Sequence, residues 1–563
     1  MTLTRYMDRF SSHHAIYLVL TTMLVVSTCL TIAFGVLWGQ SRSKPASQVS
    51  APIYATANGI VGFPPRLPNY DPYVQWTFLH MNDVYELLPL NNGRKGGLAR
   101  VAYMRQLLRE ENPNTITVLG GDLVSPSALG TSKVNGTTLN GKQMVATMNT
   151  LGLDYMTFGN HEFDLDEKDL LTRMNESNFK WIGSNVFRNN SNELFGPSLS
   201  HDLITIGTVR ILIIGFTIEG TGNYIKYINQ SYLVNHTKDF LTRFPNGTYD
   251  VLVALTHLDL ATDIALVTNI PQIDLIMGGH EHEDNYVLRG TDYTPIYKAD
   301  ANAVTVYIHR CAFNLRTRQF RIYSTLARVT PEVPEENRTA TVAQYWYDLG
   351  IEGFRLQGYE PSEVISCLPG NIELDGRSES VRTSQTLLSD LIGESMISAT
   401  ASNATTVSVF NSGAIRIDDI LSQTITQYDI LRTLPFVNYI LVLSVPGPLL
   451  ARVLTIGMSR KESGSFISYT GVRTSDDGRT WFDLQGRNLT ANAVNYTVAT
   501  IEYARTALGL DDASVLAKLN VTQTRGLIDY LKVKYPPCQR TVFSVFDKTV
   551  FFVFIMSMLN TFE

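Results

Sequence analysis

DYMTFGNH (154–161) decides how this chain is read: a short apolar run, Tyr155 to Phe158, passes through one glycine and ends on Asn160 and His161. That is the pattern of a buried strand handing polar side chains to whatever lies beyond its carboxyl end. Five more runs of the same kind lie on either side. They are WTFLHMND (76–83), TITVLGGD (115–122), VRILIIGF (209–216), VLVALTH (251–257) and IDLIMGGH (273–280). Each is bounded by turn residues, and helical or loop segments separate them, as in an α/β fold whose strands are covered on both faces.

Five of the six runs finish in a metal-capable side chain or cluster: Asp83, Asp122, Asn160 with His161, His257, and His280 with His282. Layered α/β sheets place their ligand sites at the carboxyl ends of strands, so five separate strands would bring donors to one rim. The chain has 10 histidines, and four of them stand at these ends, which scattered core or surface histidines would not produce. Carboxylate and amide oxygens mixed with imidazoles suit divalent ions such as Zn²⁺, Mn²⁺ or Mg²⁺ rather than a thiolate-seeking metal. A carboxylate such as Asp122 can bridge two ions about 3.5–4 Å apart, a spacing suited to in-line displacement at phosphorus. The paired glycines of GGD and GGH let the backbone turn tightly beside such a centre.

The bulk properties set the frame. At 563 residues the chain exceeds one hydrophobic core and calls for at least two domains. Its net charge of −6 gives no basic footprint, so no nucleic-acid partner is expected. Residues 15–39 form an uncharged, apolar stretch long enough to cross a bilayer, read as an uncleaved transmembrane signal anchor. The flanking basic residues nearly balance. Eleven Asn-x-Ser/Thr triplets, at Asn135, Asn175, Asn189, Asn229, Asn235, Asn246, Asn337, Asn403, Asn488, Asn495 and Asn520, point to an extracellular or lumenal glycoprotein. Beyond Cys29 in the anchor, Cys311, Cys367 and Cys538 allow one disulfide and one odd thiol, with the pairing open. The expected organisation is anchor 15–39, stalk 40–72, first domain 73–330, linker helix 331–360, second mixed α/β domain 361–545 and a short apolar tail 546–563.

Taken in order, LHMNDVYEL, GGDLVSP, GNHEFD, THLD and GGHEH resemble the motifs of the calcineurin-like metallophosphoesterases. Their spacing is similar to that of the 5′-nucleotidase branch, which includes the UDP-sugar hydrolases; an NDVYE-type sub-branch is suggested by Tyr85. The resemblance implies a four-layer α/β/β/α sandwich followed by a substrate-binding domain, with hydrolysis of nucleoside phosphates at two divalent ions. It assigns Asp83, Asp122 and His282 to one ion, and Asp122, Asn160, His257 and His280 to the other. His161, paired with Asp164, would stabilise charge in the transition state. In the second domain, Arg382, VFNSGAIR (409–416, giving Asn411 and Arg416) and LPFVN (434–438, giving Phe436) resemble the substrate-binding loops. The resemblance further implies domain rotation, with 331–360 as the hinge region.

Two departures qualify the match. The first motif reads Asp83-Val84-Tyr85 where the family has Asp-x-His. The family's late Gly-Gly-Asp-Gly-aromatic loop appears as Ala507-Leu508-Gly509-Leu510-Asp511-Asp512, which leaves Tyr503 as the nearby aromatic for a second stacking face. His80 precedes the first motif and reads as structural. Sugar phosphates, nucleotide sugars or cyclic nucleotides are the alternative substrates, and a binding ectodomain with a decayed centre is the alternative from another class.

Overall fold

Continuous hydrophobic strands need cover on both faces, and the fold supplies it in layers. A computed structural model describes residues 72–538, except 477, 492 and 493, together with a strand pair, Ala55–Thr56 with Gly59–Ile60. The expected anchor, nearly all of the expected stalk and the apolar tail lie outside the described residues. Among the described residues, no helix is long and apolar enough to cross a membrane.

The first sheet contains β1 (Tyr73–Met81), β2 (Thr115–Leu119), β3 (Tyr155–Thr157) and β4 (Lys180–Ile182), all parallel. The second is built on β5 (His201–Ile206), β6 (Val209–Thr217), β7 (Val251–His257) and β8 (Leu275–Gly278), of which β6, β7 and β8 run parallel. Strands β9 (Asn285–Arg289) and β10 (Thr294–Lys298) complete the second sheet, and β11 (Thr305–Asn314) and β12 (Phe320–Arg328) complete the first. Each sheet has six strands, in the orders β12-β11-β1-β2-β3-β4 and β5-β6-β7-β8-β10-β9.

Alternate residues of each strand enter different cores. Ile211, Ile213, Val251 and Val253 meet Trp76, Phe78 and Val118 between the sheets. Leu212, Ile214, Leu252 and Ala254 face outward onto Leu233, Phe240 and Leu266 of two covering helices, Gln230–Leu241 and Leu260–Asn269. On the far side, Leu79, Met81 and Leu119 pack under helices Leu98–Glu111 and Lys142–Leu151. The order is helix, sheet, sheet, helix.

The long helix Asn337–Leu356 starts at Glu336, whose carboxylate caps the N–H groups of Arg338 and Thr339. It stays with the first domain. Gly350 and Gly353 lie close against Leu129 and Ser132, and Ser132 Oγ donates to the Gly350 carbonyl at 2.6 Å.

The second domain is a five-stranded mixed sheet, with Val407–Asn411 and Asn495–Ile501 parallel at its centre. Helices Leu387–Ala399, Gly447–Ser459 and Gln523–Lys534 share its core. The disulfide joins Cys367 to Cys538, and Cys311 is free and buried between the sheets of the first domain.

Candidate active site

The strand ends converge. Asp83 follows β1, Asp122 follows β2, Asn160 and His161 follow β3, His257 ends β7, and His280 and His282 follow β8. Asp83, Asp122 and His257 are fully or almost fully buried, with ligand atoms close enough to hold one cation between them. Four of these side chains sit on left-handed backbone: Asp83 (φ 53°), Asp122 (φ 56°), His280 (φ 92°) and His282 (φ 65°). That conformation costs a non-glycine residue energy, and its concentration on prospective ligands marks a functional rim. A Cβ on Gly159 would collide with the Asp122 carboxylate, and one on Gly121 with His257 and Gly159, which explains the glycines of GGD and GNH.

The imidazoles are aimed. His257 Nδ1 lies 2.7 Å from the Gly120 carbonyl, so the proton belongs on Nδ1 and the Nε2 lone pair points inward. There Nε2 is 3.4 Å from Asp122 Oδ2 and 3.9 Å from Asp83 Oδ1, with no hydrogen bond of acceptable geometry. His282 Nε2 faces Asp83 Oδ1 at 3.3 Å with Tyr85 Oη at 3.1 Å and Arg416 Nη2 at 3.5 Å beside it, while Nδ1 is occupied by Asp418 at 2.5 Å. Lone pairs facing carboxylates repel unless a cation or proton lies between them. Asn160 Oδ1 is also buried without a protein hydrogen-bond partner. A divalent cation matches the unpartnered His257 Nε2 and Asn160 Oδ1 and the mixed oxygen–nitrogen donor set.

The electrostatics agree. Burial alone would depress the His257 imidazole, but the Asp122 and Asp83 carboxylates outweigh it and raise it to about 10. Burial would likewise raise Asp122, yet His257 and His161 hold it well below the usual carboxylate range. The pocket demands positive charge.

Tyr85, at the departure from the family pattern, is buried at the hub. Its Oη lies 2.9 Å from Asp122 Oδ2, 3.3 Å from Asp83 Oδ1 and 3.1 Å from His282 Nε2. Burial and the Asp122 charge push its phenol well above the ordinary value, so in this setting it is a neutral donor. His280 approaches Asp259 Oδ1 at 3.3 Å through Nε2. His161 Nδ1 is 2.6 Å from Asp164 Oδ2, and the His161 backbone N–H donates to Asp122 at 3.0 Å. His80 is buried against the Gly278 carbonyl at 3.0 Å, a packing role as expected.

The second domain reaches the same place. Arg416 Nη2 donates to Tyr85 Oη at 3.0 Å, with its guanidinium 5.3 Å from the ring centre. Arg382 is buried beside it, where burial and the Arg416 charge lower its affinity for a proton. The Phe436 ring lies 6.2 Å from that of His161. Asn411 ends the strand Val407–Asn411 with Oδ1 buried and unpartnered in the protein, and Nδ2 donating to Gly464 at 3.1 Å. Arg432 and Glu86 cross the same seam at 2.6 Å.

Several supporting residues escaped the sequence reading. Buried Glu162 accepts backbone N–H bonds from Asp122 (3.1 Å), Leu123 (2.6 Å), Val124 (3.2 Å) and Gly159 (2.5 Å), tying two strand-end turns together. Asn82 donates to Asp83 Oδ2 at 2.8 Å, and Glu281 is anchored by buried Lys298 at 2.5 Å. Asp259 stood in the quoted THLD motif, and Glu162 in GNHEFD, so position within a motif was the available signal. Asp418 offered none.

Comparison with known proteins fits this geometry. The calcineurin-like phosphoesterase family matches residues 77–284, and the 5′-nucleotidase C-terminal domain matches residues 369–518. The 5′-nucleotidase of Vibrio cholerae is 24% identical, covering 77% of this chain and 85% of the relative. Human 5′-nucleotidase is 22% identical, covering 71% and 75%. Among solved structures, a 5′-nucleotidase precursor from Thermus thermophilus superposes with a TM-score of 0.70 at 19% identity, covering 82% of this chain and 97% of that one. With both domains matched in order and a buried cation-demanding cluster at their junction, the chain belongs to the 5′-nucleotidase family and is a metal-dependent phosphoric ester hydrolase.

Proposed function

We propose that this protein releases phosphate from nucleoside phosphates at a two-metal centre outside the cytoplasm. Asp83, Asp122 and His282, with Tyr85 Oη beside them, would hold one ion; Asp122, Asn160, His257 and His280 would hold the other. When bound, such a pair supplies Lewis-acid charge and an activated water. The observation that carries the reading is the buried His257 Nε2, without a hydrogen-bond partner and directed at the Asp122 and Asp83 carboxylates.

The remaining roles follow from placement. Asp164 orients His161, so the far ring nitrogen can meet phosphoryl oxygens and stabilise their charge. Arg382 and Arg416 supply planar, charge-assisted donors for phosphate, and Asn411 a further polar contact. Phe436 offers a face for a nucleobase next to His161. Tyr503, half-exposed, is the weaker second face. The thin aromatic provision favours a second reading, in which a sugar phosphate, nucleotide sugar or cyclic nucleotide is the substrate.

The apolar stretch at 15–39, the eleven sequons and the Cys367–Cys538 disulfide support a membrane-anchored, extracytoplasmic glycoprotein. A mass shift on enzymatic removal of N-glycans tests that placement, and an unmodified chain from its native source removes the sequon argument.

Phosphate release from a panel of esters, with metal-stripped protein reloaded with Mn²⁺, Zn²⁺ or Mg²⁺, tests the activity. Nucleoside monophosphates should be cleaved best. A preference for sugar phosphates replaces the substrate reading, and no release from any ester by metal-loaded protein overturns the function.

A further inference from the structure

The two halves of the prospective metal centre are held differently. His257 and His280 are oriented by their own domain: the Gly120 carbonyl holds His257, and Asp259 lies 3.3 Å from His280. The other half is gripped from across the seam. Asp418 stands two positions beyond Arg416 in the second domain, on left-handed backbone with φ 46°. Its Oδ2 lies 2.5 Å from His282 Nδ1. Its Oδ1 accepts from the Ser378 backbone N–H at 3.0 Å and hydroxyl at 2.5 Å, so the carboxylate is fixed at both oxygens. Arg416 of the same segment holds Tyr85 Oη at 3.0 Å.

Asp83 Oδ1, Tyr85 Oη and His282 Nε2 form a triangle with edges of 3.3, 3.1 and 3.3 Å. Donors bound at about 2.0–2.2 Å around one ion lie roughly 2.9–3.4 Å apart, so these edges fit one face of a coordination shell. Two of its corners are steadied by residues 416 and 418. An imidazole that donates Nδ1–H to a carboxylate keeps its Nε2 lone pair free and aimed; without that acceptor, ring orientation and tautomer are no longer specified.

We infer that Asp418 is a positioning residue that completes one half of the metal centre from the second domain, so that retention of that ion depends on the seating of the substrate-binding domain. The inference rests on the metal-centre reading above. It makes the centre asymmetric: one ion held within the catalytic domain, the other locked in from outside.

The test is metal stoichiometry and affinity of the full-length protein, stripped by chelation and titrated with Mn²⁺ or Zn²⁺, with bound metal read by elemental analysis and calorimetry. Native protein should bind two ions. Asp418→Asn should weaken one by about 10–100-fold and leave the other unchanged, the usual cost of losing an outer partner of a metal-bound histidine. Asp418→Ser, too short to reach His282, should do the same and serves if the first variant fails to fold. In a His282→Ala background, Asp418→Asn should cause no further loss. Native affinity for both ions in the Asp418 variants, equal weakening of both, or an undiminished further loss in the His282→Ala background would each overturn the inference. Native protein holding fewer than two ions would instead remove the metal-centre reading beneath it.

Discussion

The Asp164 carboxylate lies 2.6 Å from Nδ1 of His161 within a single 3-10 turn, His161–Asp164. Asp164 is steadied in turn by hydroxyls of Thr221 at 3.1 Å and Ser125 at 3.3 Å. The imidazole is therefore built into a fixed bracket. None of its ring atoms is needed to complete the ligand sets assigned above. His161→Ala is expected to lower kcat by about 10²–10⁴-fold while metal content stays native. Steady-state kinetics beside elemental analysis checks this, and an unchanged kcat would take His161 out of the reaction.

On the proposed function, Phe436, with its ring 6.2 Å from that of His161, distinguishes leaving groups. Stacking is worth about 1–3 kcal/mol per base, so Phe436→Ala should raise KM for nucleoside monophosphates by roughly 5- to 150-fold. KM for a sugar phosphate should stay within about twofold. Equal effects on both substrate classes would show that the ring packs against the site without reading a base.

Glu162 touches no prospective cation yet fastens two of the turns that carry prospective ligands. Glu162→Gln turns one of its acceptor oxygens into a donor facing buried N–H groups, a mismatch costing about 1–3 kcal/mol for each group left unsatisfied. The variant should unfold at lower temperature even in metal-free protein. Native thermal stability would mean the turns are held by something else.

Much of this arrangement could be read from residues alone, for a physical reason. Strands such as VRILIIGF and VLVALTH are buried on both faces, so they stand out as unbroken apolar runs, and the prospective ligands follow because strands deliver side chains at their ends. Asp83, Asp122, Asn160, His257, His280 and His282 all come from such positions. Partners from elsewhere leave no local trace. Asp418 meets His282 across 136 positions of sequence, and only a folded chain makes them neighbours. Glu162 was quoted within GNHEFD, but nothing local distinguishes a catalytic carboxylate from one that only braces backbone. The cysteines behaved alike: counting left three pairings open, and burial of Cys311 between two sheets leaves Cys367 and Cys538 to each other.

Asp274, away from the site, makes stability depend on pH. Burial raises its carboxyl from 3.8 to about 6, against the pull of the Leu252 N–H it accepts at 2.8 Å. A raised folded-state pKa means the stabilising contribution is complete below pH 3.8 and is lost as pH rises through about 6. Asp274→Asn, which can still accept from Leu252, should flatten that part of the profile and gain stability at pH 7. Thermal unfolding of both proteins from pH 4 to 8 reads the difference. Parallel curves would refute it.

The bond between Cys367 and Cys538 closes a ring 171 positions long, with its two α-carbons 5.4 Å apart. Nearly the whole second domain lies inside that ring, so the polypeptide enters and leaves it through one doorway. Closing so long a loop removes ~5 kcal/mol worth of freedom from the unfolded chain. A thiol reductant would thus loosen the second domain first, leaving the layered first domain, which contains no cross-link among its described residues, to stand on packing alone.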